Sequence, residues 1–170
     1  MHKLKTLIRL AAGIALLLAL AFVVAQPSIR AAQNKSTAPI RGYYLTQGTY
    51  DGSQAVSACA SGYHMASLWE IHEPSNLRYE TALGANTEDS GWGPPTLPYM
   101  GWIRTGNSSS NDAYVLGAGN CNAWTSSAAA DYGTAIFLPT DWTAAPIRSG
   151  PWVPLAGSCS NSVRVWCVQD

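Results

Sequence analysis

The sequence has few charged side chains, and beyond its first ten residues it has no cluster of basic ones. Charged residues make up 12% of the 170 residues, ten of them basic and ten acidic. Three of the basic residues, Lys3, Lys5 and Arg9, precede a long apolar run, and beyond it seven basic residues stand against ten acidic ones. Binding of phosphate groups or sulfated glycans requires a basic surface. The composition therefore argues against nucleic acid as a partner.

Common signatures of catalytic sites are also missing. The chain has no Gly-x-Ser-x-Gly elbow and no Cys-x-x-Cys pair. His72-Glu73-Pro74 is not a zincin motif, because the second histidine is absent and proline would break the helix. Glu88-Asp89 lies in a Gly/Pro-rich stretch, which holds a carboxylate pair poorly. We predict that the protein is not an enzyme; a secreted hydrolase that uses His64 or His72 with a serine remains an alternative.

Metal ligands are sparse beyond residue 25, where His64 and His72 are the two histidines. Glu70, His72 and Glu73 could ligate a metal in principle. Two histidines without a third ligand at a diagnostic spacing are more often surface or capping residues. We therefore predict no metal site and no cofactor.

The N-terminus has the pattern of an export signal. The basic start is followed by an uncharged apolar run from Leu10 to Ala25 that is short for a membrane span of roughly 20 residues. We predict a signal peptide over 1–25 with cleavage after Ala25; an uncleaved anchor is the alternative. The chain is then secreted or on the cell surface, with no membrane contact beyond this segment.

The four cysteines are Cys59, Cys121, Cys159 and Cys167. In an exported protein an even number of cysteines predicts disulfide bonds rather than metal or redox chemistry. We expect two bridges. The spacing alone permits three pairings.

Residues 26–40 have no aromatic residue and predict a flexible linker, which leaves 41–170 as one folded domain. Beyond residue 84 the chain is rich in Gly, Pro and Ser, which predicts loops and short strands, with solvated turns at 108–111 and 126–130. The predicted elements are strands at 42–46, 101–104, 134–138 and 163–168, and helical segments at 54–60, 66–71 and 76–83.

This order of elements resembles a C-type lectin-like domain, and within that superfamily it is most similar to endostatin and to bacterial endostatin-like surface proteins. Gly101-Trp102-Ile103 stands where the family has a Trp-Ile-Gly-Leu motif, although Arg104-Thr105 replaces its second half. The segments that carry the closer resemblance are Asn120-Cys121-Asn122-Ala123-Trp124-Thr125, Gly133-Thr134-Ala135, Leu138, Gly157-Ser158-Cys159 and Val165-Trp166-Cys167-Val168.

The resemblance implies an α+β fold with two helices, short antiparallel strands and a loop-rich half. It also implies two nested disulfides, Cys59 with Cys167 and Cys121 with Cys159. The family's calcium-binding triplets have no match here. Glu73-Pro74-Ser75-Asn76 precedes Trp102 instead of following it, and no carboxylate stands just before Cys159. We therefore expect binding to be independent of calcium.

Aromatic residues are plentiful, with seven tryptophans. Trp102, Trp124 and Trp166 fall on strand or motif positions, which predicts core packing. Another three tryptophans are flanked by Gly, Pro or Asp in predicted loops, where a large ring more often contacts a ligand. These predicted ligand-binding residues are Trp92, Trp142 and Trp152.

The sequence thus favours a secreted or cell-surface, non-catalytic binding module for an extracellular protein or matrix ligand. The first alternative is a calcium-independent carbohydrate-binding module whose loop tryptophans stack on sugars. The second is the secreted hydrolase. The oligomeric state stays open.

Overall fold

The structure is a computed structural model that describes residues 39–87, 93–106, 119–140 and 152–170. Chain contacts group Ala38–Asp170 into one compact unit. In the part of the chain described, no helix has the length and apolar character needed to cross a bilayer.

The described residues form seven strands, two four-residue helical turns and two 3-10 turns. The strands are β1 Arg41–Leu45, β2 Tyr63–Met65, β3 Leu77–Tyr79, β4 Met100–Trp102, β5 Tyr132–Phe137, β6 Val153–Ser158 and β7 Arg164–Gln169. The helical turns are α1 Leu68–Ile71 and α2 Cys121–Trp124, and the 3-10 turns are Ala55–Ser57 and Pro74–Asn76. Mixed helix and strand content agrees with the predicted α+β class.

The C-terminal strand β7 is the centre of the sheet. The strand order is β3-β1-β7-β4-β5-β6, and β2 also pairs with β7. Cys167 lies opposite Tyr44 of β1 and Met65 of β2. The residues from Val165 to Val168 are fully buried. A strand covered on both faces is typical of a sheet interior, and it explains the unbroken β-branched and aromatic run in this part of the sequence.

Two strand pairs are parallel, which corrects the prediction of antiparallel strands alone. β1 pairs with β3 in parallel, and so does β4 with β7. β3 also replaces the helix predicted at 76–83. Tertiary pairing overrides helix propensity here, because Tyr79 lies beside Tyr43 in the ladder and its hydroxyl donates to Ala85 O at 2.7 Å.

The other helical predictions hold in part. The helix predicted at 54–60 is one 3-10 turn, Ala55–Ser57, because the Asp51 carboxylate accepts from the backbone N–H groups of Ser53 and Gln54 and forms a turn there. The segment predicted at 66–71 contains the helical turn α1. The predicted turn at 126–130 is largely exposed, whereas 108–111 lies outside the described residues.

Both disulfides implied by the resemblance are present. Cys59 is bonded to Cys167 across 108 residues, and Cys121 to Cys159 across 38 residues within that span. The chain reaches Cys121 through α2, in which four consecutive non-glycine residues have positive φ between 46° and 61°. That left-handed backbone is strained, and the inner bridge joins its first residue to Cys159, directly after β6.

The core holds the tryptophans that were predicted to be buried. Trp102 and Trp166 are fully buried and Trp124 nearly so. Trp102 lies over β5 and β6 where both strands carry glycine, because a Cβ at Gly133 would be 3.0 Å from its ring and one at Gly157 would be 2.9 Å from it. Packing against Trp102 therefore explains the glycines at 133 and 157, which lie in two of the segments that carry the resemblance.

The prediction that Trp152 is an exposed loop residue is wrong. Trp152 is buried, with 8% of its surface exposed, and its ring lies edge-on to Trp166 with centroids 5.0 Å apart. It directly precedes β6, a strand that the sequence did not predict, because the Gly, Pro and Ser content beyond residue 84 indicated loops and short strands without locating this one. β6 ends the strand order of the sheet, which is a position that tolerates proline.

Candidate functional site

The most exposed tryptophan among the described residues lies on α1. Leu68 and Ile71 are three residues apart and share the inward face of this turn, and Ile71 is fully buried. Trp69 therefore points outward, and 78% of its surface is exposed. A large amphipathic ring in that position is free to contact a ligand.

The backbone beneath Trp69 is firmly held. Ser67 caps α1, with its hydroxyl facing the backbone N–H of Glu70 while the Glu70 carboxylate accepts from the backbone N–H of Ser67. The Leu68 N–H donates to Arg104 O at 2.8 Å, which joins the turn to the segment after β4. Trp69 thus presents its ring from a fixed backbone.

A charged cluster of Arg41, His64, Glu70 and Asp170 lies beside α1. Glu70 Oε1 is 2.9 Å from His64 Nε2 and 3.3 Å from Arg41 Nη2. On the other side of the ring, His64 Nδ1 is 2.7 Å from Asp170 Oδ1. The cluster joins α1 to β1, to β2 and to the C-terminal residue.

Hydrogen bonds control the charge of Glu70. Burial alone would raise the pKa of this carboxyl, but hydrogen bonds from the backbone N–H and hydroxyl of Ser67, and from His64, outweigh it and lower the pKa to about 2. Glu70 is therefore ionised over the whole physiological range.

The contacts of His64 suit a structural role better than that of a catalytic base, because they hold α1, β2 and Asp170 together. Both nitrogens of His64 are occupied by carboxylates, and the Ser67 hydroxyl donates to Glu70 Oε2 at 2.8 Å. A serine nucleophile requires a histidine nitrogen to accept its proton. His72, just after α1, is exposed. Within the described residues, no three His, Cys, Asp or Glu side chains are grouped so as to hold a metal ion.

Two grooves flank Gln47 in the loop after β1. The polar groove has a volume of about 250 Å³ and is lined by Gln47, Gly84, Ala85, Asn86, Tyr99 and Arg164. The tyrosine groove, of about 380 Å³, has Tyr44, Tyr50 and Leu83 among its lining residues and also includes Gln47. Because Gln47 lines both, the grooves adjoin one another.

Of the three predicted ligand-binding tryptophans, the structure describes one. Trp92 and Trp142 lie outside the described residues, and Trp152 is in the core. The exposed Trp69 was not among them. A helical wheel would have identified it, because Leu68 and Ile71 define the inward face and leave position 69 on the outside.

Comparison with known proteins gives no match: no family model, no curated protein and no solved structure is similar to this chain.

Proposed function

We propose that the protein is a secreted or cell-surface binding module of C-type lectin-like, endostatin-like fold. It binds an extracellular protein or matrix ligand without calcium and without catalysis. The observation that carries this proposal is the exposed indole of Trp69 on a backbone that is hydrogen-bonded at both ends of its turn. Preorganised aromatic anchors lose little entropy on contact and often dominate binding interfaces.

The arrangement of strands and crosslinks supports the proposed fold. The first strand pairs with the last, and the outer disulfide joins the segment after β1 to that last strand. The inner disulfide joins α2 to Cys159, directly after β6, before the chain returns to the centre of the sheet. The domain therefore has a crosslinked base.

The state of His64 supports a non-catalytic role. The hydrolase alternative needs a histidine that can accept a proton from a nucleophile, and both ring nitrogens of His64 are held by carboxylates. Secretion is supported by the two disulfides, since such bonds persist in oxidising compartments.

Binding to a panel of immobilised matrix proteins and to a glycan array, both in the presence of a chelator, tests the proposal. The wild-type protein should bind a protein component, and Trp69→Ala should weaken that binding by about 30-fold, the equivalent of about 2 kcal/mol at an anchor residue. The matched control is Val56→Ala, which shortens another apolar side chain that is 51% exposed.

Equal binding by wild type, Trp69→Ala and Val56→Ala would contradict a contact role for Trp69. Binding to glycans alone, lost in Trp69→Ala, would favour the carbohydrate-binding alternative, because an exposed indole also stacks on sugar rings. Binding that appears only when the chelator is replaced by calcium would contradict calcium independence.

A further inference from the structure

Of the four arginines among the described residues, Arg104 and Arg164 have only neutral partners, and Arg104, which donates from Nε to Met65 O at 2.9 Å, lines neither groove. Arg41 and Arg78 each contact a carboxylate, Glu70 and Glu80 respectively. Arg164 is half-buried at the start of β7 and makes no ion pair within the described chain. Its partners among the described residues are neutral groups, so no side chain of that set compensates its charge by direct contact.

The guanidinium of Arg164 is nevertheless held in one orientation. Nη1 donates to Thr46 O at 2.6 Å and to Gln47 O, which uses both of its N–H bonds. The ring of Tyr99 covers the guanidinium, with its centroid 4.8 Å from Cζ. An arginine fixed in this way loses little side-chain entropy when it binds a ligand.

The edge of the guanidinium formed by Nε and Nη2 remains available. Neither atom has an acceptor among the described residues, because the hydrogen bonds of Arg164 all come from Nη1. Two parallel N–H bonds on such an edge match the two oxygens of a carboxylate. Arg164 lines the polar groove, and no Asp or Glu is among the described residues that line it.

The rest of the two grooves indicates what accompanies the carboxylate. The side chains of Asn86 and Gln47 are anchored to the backbone, through Asn86 Nδ2 to Thr81 O at 2.7 Å and Gln47 Nε2 to Gly84 O at 3.5 Å. Beyond Gln47, the tyrosine groove offers aromatic and aliphatic surface from Tyr50 and Leu83 beside polar lining groups such as Thr46. A ligand that fills both grooves therefore has an anionic end and a short body that combines an apolar side chain with polar groups.

We propose that the Nε/Nη2 edge of Arg164 binds the carboxylate of a ligand whose apolar part lies in the tyrosine groove. A peptide C-terminus with an apolar last residue has this chemistry. One fixed guanidinium, with no second cation among the lining residues, suits a singly charged planar carboxylate better than a phosphate dianion. No described residue that lines either groove belongs to α1, so this site is separate from the contact proposed for Trp69.

Titration of the protein with N-acetyl-L-leucine tests this site. The titration is monitored by NMR of the Arg164 Nε–H signal and by calorimetry. The signal should shift and saturate, and N-acetyl-L-leucinamide, which has the same side chain without the charge, should bind at least tenfold more weakly. Inorganic phosphate and glucuronic acid are the comparison anions. Tighter binding of either than of N-acetyl-L-leucine would overturn the proposal, as would equal binding of the acid and the amide.

Variants give a second test. Arg164→Lys keeps a positive charge but loses the two-pronged edge, so it should weaken N-acetyl-L-leucine binding by about tenfold or more. Arg78→Gln is the matched control, because it removes an exposed arginine outside both grooves and should leave binding unchanged. Equal losses in both variants would show a general charge effect and overturn the proposal. If Arg164→Lys does not fold, the NMR titration of the wild-type protein decides whether Arg164 binds the carboxylate. Trp69→Ala should bind N-acetyl-L-leucine as the wild type does, because Trp69 lies outside both grooves.

Discussion

The centre of the sheet and the surface around α1 use the same residue types in opposite ways. Along β7, Trp166 is buried among apolar neighbours and a disulfide joins the strand to a distant segment. On α1, Trp69 is exposed and polar contacts hold the backbone under it. Apolar burial and a crosslink stabilise the first region, and charge-assisted hydrogen bonds fix the second.

The difference separates stability from recognition. Removing a ring from the centre of the sheet leaves a cavity, so the loss appears as a lower free energy of unfolding. Removing a ring from α1 leaves no cavity, so the loss should appear in the binding that we propose for Trp69 and not in stability. Four predictions test this separation, in descending order of the expected effect on stability.

Loss of the outer disulfide should have the largest effect. On the loop-closure model, replacing Cys59 and Cys167 by alanine should lower the free energy of unfolding by about 4.8 kcal/mol, since the bond closes 108 residues. Replacing Cys121 and Cys159, which close 38 residues, should cost about 3.9 kcal/mol. Urea unfolding of the two double variants measures both values. A larger loss for the inner pair would contradict the dominance of the centre of the sheet.

Truncation of a central ring comes next. Trp166→Ala should lower the free energy of unfolding by about 3 to 5 kcal/mol, because the side chain is fully buried. Trp152→Ala should cost about 3 kcal/mol, since this ring packs against Trp166 but is slightly exposed. Chemical unfolding of both variants is the measurement. A Trp152→Ala variant as stable as the wild type would mean that this ring does not belong to the core.

Sequence patterns predicted the central region better than the edges. The strand at 163–168 was clear because β-branched and aromatic residues run together there, and buried strands have that composition. β2, β3 and β6 were missed because their pairing depends on partners elsewhere in the chain, β7, β1 and β5, and β6 also lies in the part whose composition indicated loops. Short local signals cannot outweigh such long-range pairing.

The site was less predictable than the fold. The partners of His64 come from Glu70 and from the C-terminal Asp170, which is 106 residues away in the chain. The free edge of Arg164 depends on which carbonyls its Nη1 meets, and no spacing in the sequence records that. The exposure of Trp69, by contrast, follows from the three-residue spacing of Leu68 and Ile71 on a helical turn.

The charge on Glu70 should have a smaller and pH-dependent effect. Its folded pKa of about 2 lies below its ordinary value of 4.5. Its contribution is therefore fully present above about pH 4.5 and is lost as the pH falls toward 2. Glu70→Gln should lower the free energy of unfolding by about 1 to 2 kcal/mol near neutral pH, a modest value because the side chains are partly exposed.

Unfolding of Glu70→Gln and wild type across this pH range should show the difference shrinking as the solution becomes more acidic. Glu73→Gln is the matched control, because Glu73 has the same charge, caps the exposed 3-10 turn after α1 and, among the described residues, bonds to Ser75 alone. If the difference in free energy of unfolding between wild type and Glu70→Gln grows as the pH falls, the stabilising role of the Glu70 charge is contradicted.

Truncation of Trp69 should have the smallest effect on stability, and it tests the comparison most directly. Trp69→Ala removes the same number of atoms as Trp152→Ala, but from a ring that is 78% exposed instead of 8%. The free energy of unfolding should change by about 0.5 kcal/mol or less, because the backbone contacts of Ser67, Leu68 and Glu70 do not involve the indole. Thermal melts of both variants beside the wild type provide the measurement. If Trp69→Ala melts as early as Trp152→Ala, the indole stabilises the fold and α1 is part of the core region instead of a contact surface.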